Sequence, residues 1–381
     1  MSDYALRIAQ SLAELAPEDW DRVANPPGAP FDPFLSWNFL EALERSGSAA
    51  PDTGWGGFHL LCEDQDGTLL GALPLYLKGH SYGEYVFDHG WANALERAGG
   101  RYYPKLLSAV PFTPATGRRV LSPDADVRRA LIDGARSLCR REGISSWHVL
   151  FPDDAQKDEL AEAGMLRRED IQFIWRNDGY ETYDDFLAAL ASRKRKALRK
   201  ERKSAQAGVE IERLTGDAIK PEHWDLFFAC YQDTGARKWG TPYLNRAFFD
   251  LVHERMRDQV LLVTAKHEGG YIASALNFIG SETLFGRYWG CLEGQEFLHF
   301  ELCYHQAVEF AIERGLKTVE AGAQGPHKLA RGYRPEAVHS AHFLNDPGFS
   351  DAVERFLERE RPAVEAEISA LEEDSPYRKG D

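Results

Sequence analysis

The sequence predicts an α/β chain of the α+β kind. Two similar halves stand in tandem, each a mixed, mostly antiparallel sheet flanked by helices, with a C-terminal helix after them. Three observations predict it. Pro17-Glu18-Asp19-Trp20-Asp21 is echoed 204 positions later by Pro221-Glu222-His223-Trp224-Asp225. Two hairpin patterns follow at an offset of 202. Two long amphipathic helices, ending in Gly143 and Gly315, follow at an offset of 172.

Taken in order, each half starts with a short alternating run, ALRIA from Ala5 and VEIERL from Val209, which reads as a strand. After the echoed motif, Leu35, Phe39 and Leu43 in one half and Leu244, Phe248 and Val252 in the other stand four apart. That spacing puts one apolar stripe on a helix. His59-Leu60-Leu61-Cys62 leads through a turn at Gly67 into LLGALPLYL, and Leu261-Leu262-Val263-Thr264 leads through Gly269-Gly270 into YIASALNFIG. Both read as β-hairpins. A third strand is predicted from Glu84 (EYVFDHGW) and from Leu284 (LFGRYWGC).

The fall in offset then implies an insert of about 30 residues, Tyr- and Pro-rich, at about 91–121 in the first half. The long helices stop at glycine, the usual C-terminal signal. Buried strands SSWHVLF and TVEAG follow, each with a short turn or helix and a last strand. The order β-α-α-β-β-β-α-β-α-β is neither a doubly wound repeat nor a helical solenoid. The boundaries so drawn are 1–178 for the first domain and 179–348 for the second, which is preceded by a basic helix at 183–207. A charged helical tail, interrupted near Pro362, fills 349–381.

Composition narrows the function classes. The 381 residues hold 60 Asp+Glu against 45 Lys+Arg, a formal charge of −15, which argues against a protein that coats nucleic acid by bulk positive charge, and no DNA partner is expected. Five scattered cysteines with no CxxC pair suggest neither a disulfide framework nor a zinc ribbon. No run of 18 apolar residues occurs and the N-terminus is acidic where a signal peptide is basic, so a cytoplasmic location is expected.

The segments SYGEYVFDHGWANALERAGGRYYPKLLSAVPFTPATG from Ser81 and FLHFELCYHQAVEFAIERGLKTVEAGAQGPHKLARGYRP from Phe297 resemble the FemAB-like predicted N-acyltransferases. So do FLSWNFL from Phe34 and YQDTGARKWGTPYL from Tyr231, and the resemblance runs from about Phe34 to Leu344. It implies a tandem GNAT fold and transfer of an acyl or aminoacyl group from an activated carrier to an amine acceptor of a cell-envelope precursor or lipid. The carrier would be CoA, an acyl carrier protein or aminoacyl-tRNA. No tightly bound cofactor is implied; the acyl donor is a co-substrate. Two alternatives stand beside this. One is long-chain N-acylation of a sphingoid-type lipid amine; the other is a non-catalytic module that binds a cell-wall precursor. The catalytic cleft is expected between the repeats.

The strongest local candidate is the Gly-rich loop from Gly322 to Arg334, directly after a buried strand, where backbone N–H groups can approach a ligand closely. Lys328, Arg331 and Arg334 stand three apart, which suits a phosphate or carboxylate. Gln324, His327, Lys328, Arg331 and Tyr333 are taken from this loop as substrate-binding, with Arg287 from the third strand. Amide-forming acyl transfer needs a base for the ammonium and a proton donor for the leaving group. Glu301 and His299 are the candidate bases and Tyr304 the candidate donor.

His299, Glu301, Cys303 and His305 look like metal ligands. On a regular helix, however, the first and third lie about 200° from the other two, so no metal site is predicted. In the first half, Asp88 and His89 are candidate cleft-lining residues on the predicted strand, and Trp239 is a candidate in the acceptor loop of the second. Glu293-Gly294-Gln295-Glu296 stands where acetyl-CoA-dependent GNAT enzymes carry a pyrophosphate-binding turn, and its two acids disfavour that grip.

Residues 193–203 hold eight cations and one acid. With Leu190, Ala197 and Leu198 as the only apolar anchor, the cations read as surrounding a helix. Arg193, Lys196, Arg199, Lys200 and Lys203 are the candidate contacts to a polyanion, either tRNA or the anionic inner face of a membrane.

Overall fold

The computed structural model describes residues 4–237, 240, 242–322 and 325–378; the side chains of 236, 237 and 326 are outside the description. The chain forms two compact units, 1–170 with 337–366 and 171–336 with 367–381. Neither unit is contiguous in sequence.

In the first unit, strands β1 (Tyr4–Ala9), β3 (His59–Asp64) and β4 (Leu69–Leu73) form a small antiparallel sheet. A second sheet runs β2 (Trp55–Gly57), β5 (Tyr76–Lys78), β6 (Lys105–Ser108), β7 (Ser146–Leu150) and the C-terminal part of β14 (Arg334–Leu344). Helices α1 (Pro17–Ala24), α2 (Trp37–Arg45), α3 (His89–Arg97), α4 (Ala125–Glu142) and α5 (Asp154–Glu162) pack around these sheets. Helix α4 shows how sequence sets an element. The Asp124 side chain accepts from the N–H groups of Asp126 and Val127, and Gly143 closes the helix at φ 64°. Its face Val127, Leu131, Ala135 and Leu138 joins Trp147 and Val149 in the core.

Strand β8 (Leu166–Arg176) carries the chain into the second unit, where its last residues pair with β13 (Thr318–Glu320). That unit contains α6 (Tyr183–Ala189), α7 (Ser192–Ala205), β9 (Val209–Leu214), α8 (Pro221–Arg237), α9 (Arg246–Met256), β10 (Val260–His267), β11 (Gly270–Ile279) and β12 (Thr283–Cys291). Then follow α10 (Leu298–Phe300), a π-turn (Glu301–His305) and α11 (Gln306–Glu313). The strand order is β8-β13-β12-β11-β10-β9. Val260 to Ala265 and Ile272 to Phe278 are buried without interruption, which is why these strands read as nearly continuous apolar runs. Beyond β14, α12 (Pro347–Glu373) passes from one unit into the other.

Three expectations are corrected. Residues 84–88 form no strand. The third strand of the first half is β6, inside the segment assigned to the insert, and it runs parallel to β7 as β12 does to β13. LLGALPLYL is two strands, divided at Pro74, which has no N–H to give a ladder. The start of the long second-half helix is not regular: the Gln306 N–H bonds the Glu301 carbonyl, five residues back.

A glycine fixes how α8 sits on the sheet. A Cβ on Gly290 would lie 2.1 Å from the Cys230 carbonyl oxygen, so α8 approaches the β12 backbone directly. Gly290→Ala is expected to lower the urea midpoint, at a cost of about 1–3 kcal/mol, with m unchanged.

Candidate active site

Strands β12 and β13 are parallel and pair over three positions only, Thr283 with Thr318, Leu284 with Val319 and Phe285 with Glu320. Beyond Phe285, β12 continues without β13 beside it. The register against β11 jumps at this same place: Tyr288 opposes Leu276 and Gly286 opposes Asn277, so Arg287 is the extra residue of a bulge. Bulges re-aim side chains. Arg287 turns into a cavity of about 90 Å³ that it shares with Asn277, Trp289, His299, Cys303 and Tyr304.

The helical side of the cavity is shaped by strain and by the π-turn. Phe297 holds φ 63°, an unusual conformation for a bulky residue, at the entry to α10. The wider π-turn brings Cys303 and Tyr304 to the cavity beside His299, whose ring lies 4.5 Å from Trp289 and 5.4 Å from Tyr304. The Tyr304 hydroxyl and His327 Nε2 are 2.8 Å apart. Burial holds the Tyr304 phenol protonated far above neutrality. Partial burial, with the Arg331 and Lys328 cations nearby, holds the His327 imidazole below its ordinary value. Lys328 is buried and donates to the Gly322 carbonyl at 2.7 Å. Burial pushes its ammonium down to about 8, Cys303 opposing that and Arg287 adding to it.

The sequence-predicted residues therefore divide. His299, Tyr304 and Arg287 line the cavity, with His327 bonded to Tyr304 and Lys328 beside them. Glu301 faces elsewhere: it is fully buried, and its Oε1 accepts from Arg202 at 3.1 Å, Gln206 at 2.8 Å and Gln306 at 2.7 Å. Its bonded partners tie the π-turn to α7 rather than to the cavity. Arg331 is not a free cation either. It grips Glu201 at 2.9 and 2.6 Å, donates to the His327 carbonyl and lies 3.3 Å from the Phe300 ring centre. Tyr333 is wholly buried in the core. Gln324 and Trp239 lie outside the described residues.

Sequence reasoning missed Glu201, the lone acid of the basic run. Between Arg331 and His305 Nε2 (2.9 Å) it holds the Pro326–Arg331 turn and the π-turn together. Burial raises its pKa, but bonds from His305 and Arg331 outweigh that and hold it below the usual range. His305 also bonds the Tyr183 hydroxyl at 2.6 Å, away from the cavity. Among the described residues no three His, Cys, Asp or Glu side chains converge as a metal site would require.

A family model described as peptidoglycan biosynthesis/recognition, FemAB-like, matches residues 11–379. The chain belongs to the FemAB-like family. No curated protein matches it significantly. The solved structure of FemX is similar over 88% of this chain and 98% of its own, at 13% identity and a TM-score of 0.56. The C-terminal domain of a putative lysylphosphatidylglycerol synthetase from Agrobacterium fabrum is similar over 92% and 97%, at 10% identity and 0.55. A tandem GNAT protein of the clavulanic acid pathway covers 91% of this chain and 99% of its own, at 13% identity and 0.46. The fold, two α/β units and a C-terminal helix, is similar to that of FemX.

The first unit of this FemAB-like protein holds a buried ionic cluster. Lys105 donates to Ser81 at 2.8 Å, to Glu84 at 2.7 Å and to Asp88. Asp88 is therefore a buried partner of Lys105, while His89 is exposed at the start of α3; neither is on a strand. The Tyr102 hydroxyl donates to Asp88 at 2.7 Å and lies 3.2 Å from His148 Nε2. The Ser146 hydroxyl lies 2.8 Å from the same Nε2, and His148 Nδ1 stands 2.6 Å from His342 Nδ1, so one of the two imidazoles carries its hydrogen on Nδ1.

Burial pushes His148 down to about 3 and His342 well below its ordinary value. Unfolded imidazoles titrate near 6.5, so between about 3 and 6.5 the unfolded chain binds more protons and stability falls as pH drops. Glu84, raised by burial to about 7, opposes the pair by one proton between 4.5 and 7. The net expectation is a lower urea midpoint at about pH 5 than at about pH 7. A midpoint unchanged between them contradicts the neutral pair.

Helix α7 carries exposed cations on several sides, Lys194 among them, but its anchor differs from the expectation. Leu190 and Leu198 are buried but Ala197 is exposed, and Glu201 and Arg202 turn inward. Arg193, Lys196, Arg199, Lys200 and Lys203 are all exposed on the opposite side. Among the described residues no helix is long and apolar enough to cross a membrane.

Proposed function

We propose that the protein transfers an acyl or aminoacyl group from an activated carrier to an amine, with the chemistry at the Tyr304–His327 pair of the second unit. The observation that carries the reading is this pair, 2.8 Å apart, at the place where β12 and β13 part. Family membership supports acyl or aminoacyl transfer in general terms.

In this reading the amine attacks the carbonyl carbon of a thioester or ester held in the opening. His327, neutral near pH 7, takes the proton that the amine sheds. The oxyanion of the tetrahedral intermediate meets the Lys328 and Arg287 cations or the backbone N–H groups of β12 past Phe285. When the carbon–sulfur or carbon–oxygen bond breaks, the Tyr304 hydroxyl gives its proton to the leaving atom and recovers one from His327. The donor, whether acyl-CoA, acyl carrier protein or aminoacyl-tRNA, enters as a co-substrate, and the steps need no resident cofactor.

A second reading, N-acylation of a long-chain sphingoid-type amine, is favoured by one feature. The first unit has an apolar groove of about 580 Å³ whose lining includes Phe87, Trp91, Leu95, Phe349, Val353 and Phe356. The test is mass spectrometry of products after incubating the purified protein with each donor class and short-chain, long-chain or peptidyl amines. Product from long-chain amines alone selects the second reading. Binding without turnover for every pair selects a non-catalytic module.

Lys328 sets a pH limit. Its ammonium is charged below about 8 and loses its proton above. The KM for an anionic donor is expected to rise above that pH while the same KM in Lys328→Met stays flat.

A further inference from the structure

The cations of the second unit's cavity and loop have different partners. Arg331 is gripped by Glu201, and Arg334 is paired with Asp178. Lys328 donates to the Gly322 carbonyl, and Arg287 turns into the cavity at the β12 bulge. Lys328 is 1% exposed, and Arg287 stands near enough to help push its ammonium down. Two like charges thus meet at one cavity. No Asp or Glu is among the residues that line it. Glu301 of the π-turn bonds Arg202, Glu201 of α7 bonds Arg331, and Glu320 of β13 acts on Arg176. Burying an ammonium beside a guanidinium is costly unless an anion joins them. The space limits the size of that anion. A cavity of about 150 Å³ holds a benzene ring, so the 90 Å³ here hold on the order of four non-hydrogen atoms.

We propose that this cavity is a carboxylate pocket, in which Arg287 and Lys328 receive a carboxylate carried on one or two carbons by a reactant of the transfer. A guanidinium can meet both oxygens of a carboxylate, and an ammonium acts on them as a point charge. Trp289 and His299, with ring centres 4.5 Å apart, wall the space for the carbon stem. A phosphate ester has five non-hydrogen atoms before its first carbon and overfills it. An aminoacyl ester brings an ammonium and no carboxylate, so it adds a third positive charge. The carboxylate belongs either to the acyl group, as in the half-thioester of a short dicarboxylic acid, or to the amine, as in an α-amino acid. With both cations so engaged, the oxyanion is left to the backbone N–H groups of β12 past Phe285. The owner of the carboxylate rests on the transfer reading; the pocket itself does not.

Saturation-transfer NMR of the full chain with propionate, propionamide and inorganic phosphate tests the pocket. Propionate is expected to bind at least about tenfold more tightly than propionamide and to resist displacement by equal phosphate. Lys328→Met and Arg287→Gln are each expected to weaken propionate at least about tenfold with circular dichroism unchanged, and if one fails to fold the other decides. No propionate signal, equal binding of propionamide, displacement by phosphate, or binding that survives the substitutions overturns the proposal. Transfer assays then find the owner, with succinyl and butyryl thioesters offered to alanine and to alaninamide. Preference for succinyl over butyryl assigns the carboxylate to the acyl group, and preference for alanine over alaninamide assigns it to the amine. Propionate binding without turnover for any pair upholds the pocket and counts against the transfer reading. Turnover without preference at either position overturns the pocket.

Discussion

Arg331→Ala is expected to destabilise the second unit strongly, by about 3–5 kcal/mol, because it leaves Glu201 buried without its bidentate partner. Glu201 is 13% exposed and Arg331 7%, so water replaces little of the lost bond. The same change removes the cation against the Phe300 ring and the donor to the His327 carbonyl. A shift in Tm on the order of 10 °C follows for a unit of this size. Arg331→Lys keeps the charge but loses the fork, and falls between. Adding Glu201→Gln to Arg331→Ala is expected to restore part of the loss, since a neutral amide tolerates burial better than an unpaired carboxylate. Chemical denaturation of the parent and the three variants measures this. An alanine variant as stable as the parent means that Arg331 is free to take a ligand.

Tyr304→Phe and His327→Gln are expected to act the other way, leaving the Tm nearly unchanged and lowering turnover about 10²–10⁴-fold. The phenylalanine keeps the ring among His299, Phe300 and Tyr333 and removes only the hydroxyl that bonds His327. His327 is exposed, with its ring 5.6 Å from those of Phe300 and Tyr304, and Gln keeps a polar side chain at this surface position. Single-turnover rates against pH separate the roles. His327→Gln is expected to remove the acid-side inflection that the imidazole imposes, and Tyr304→Phe to lower the plateau. Full turnover in Tyr304→Phe places the leaving-group proton elsewhere. The contrast with Arg331 matters because both residues belong to one loop-and-turn cluster and both looked like ligand contacts in the sequence.

Much of the fold was legible from periodicity. The hairpins, the glycine-stopped helices and the doubled order follow from patterns of two and of nearly four residues, which local geometry imposes wherever a face is buried. The misplaced third strand has a specific cause. EYVFDHGW has the aromatic and β-branched content of a strand, but Glu84 and Asp88 are drawn inward to Lys105 and the segment folds as loop and helix start. A buried ion pair between residues 17 and 21 positions apart leaves no periodic trace.

The candidate site was legible by residue type and not by direction. Cations, histidines and a tyrosine in the second half pointed to this segment, and His299, Tyr304 and Arg287 line its cavity. Which of them faced it depended on the π-turn and on a one-residue bulge at Arg287, each of which shifts side-chain direction by more than a regular helix or strand permits.

The sequence by itself determined the repeat, the fold class, the family and the basic helix, because each of these rests on composition or on short-range pattern. Only the tertiary structure decided which charges are available. Glu201, the single acid in the basic run, turns inward to hold Arg331 and His305, and Lys196 and Lys200 remain outside. A charge is free or taken according to a partner 104 or 130 residues away, and that distance is closed by packing rather than by sequence spacing.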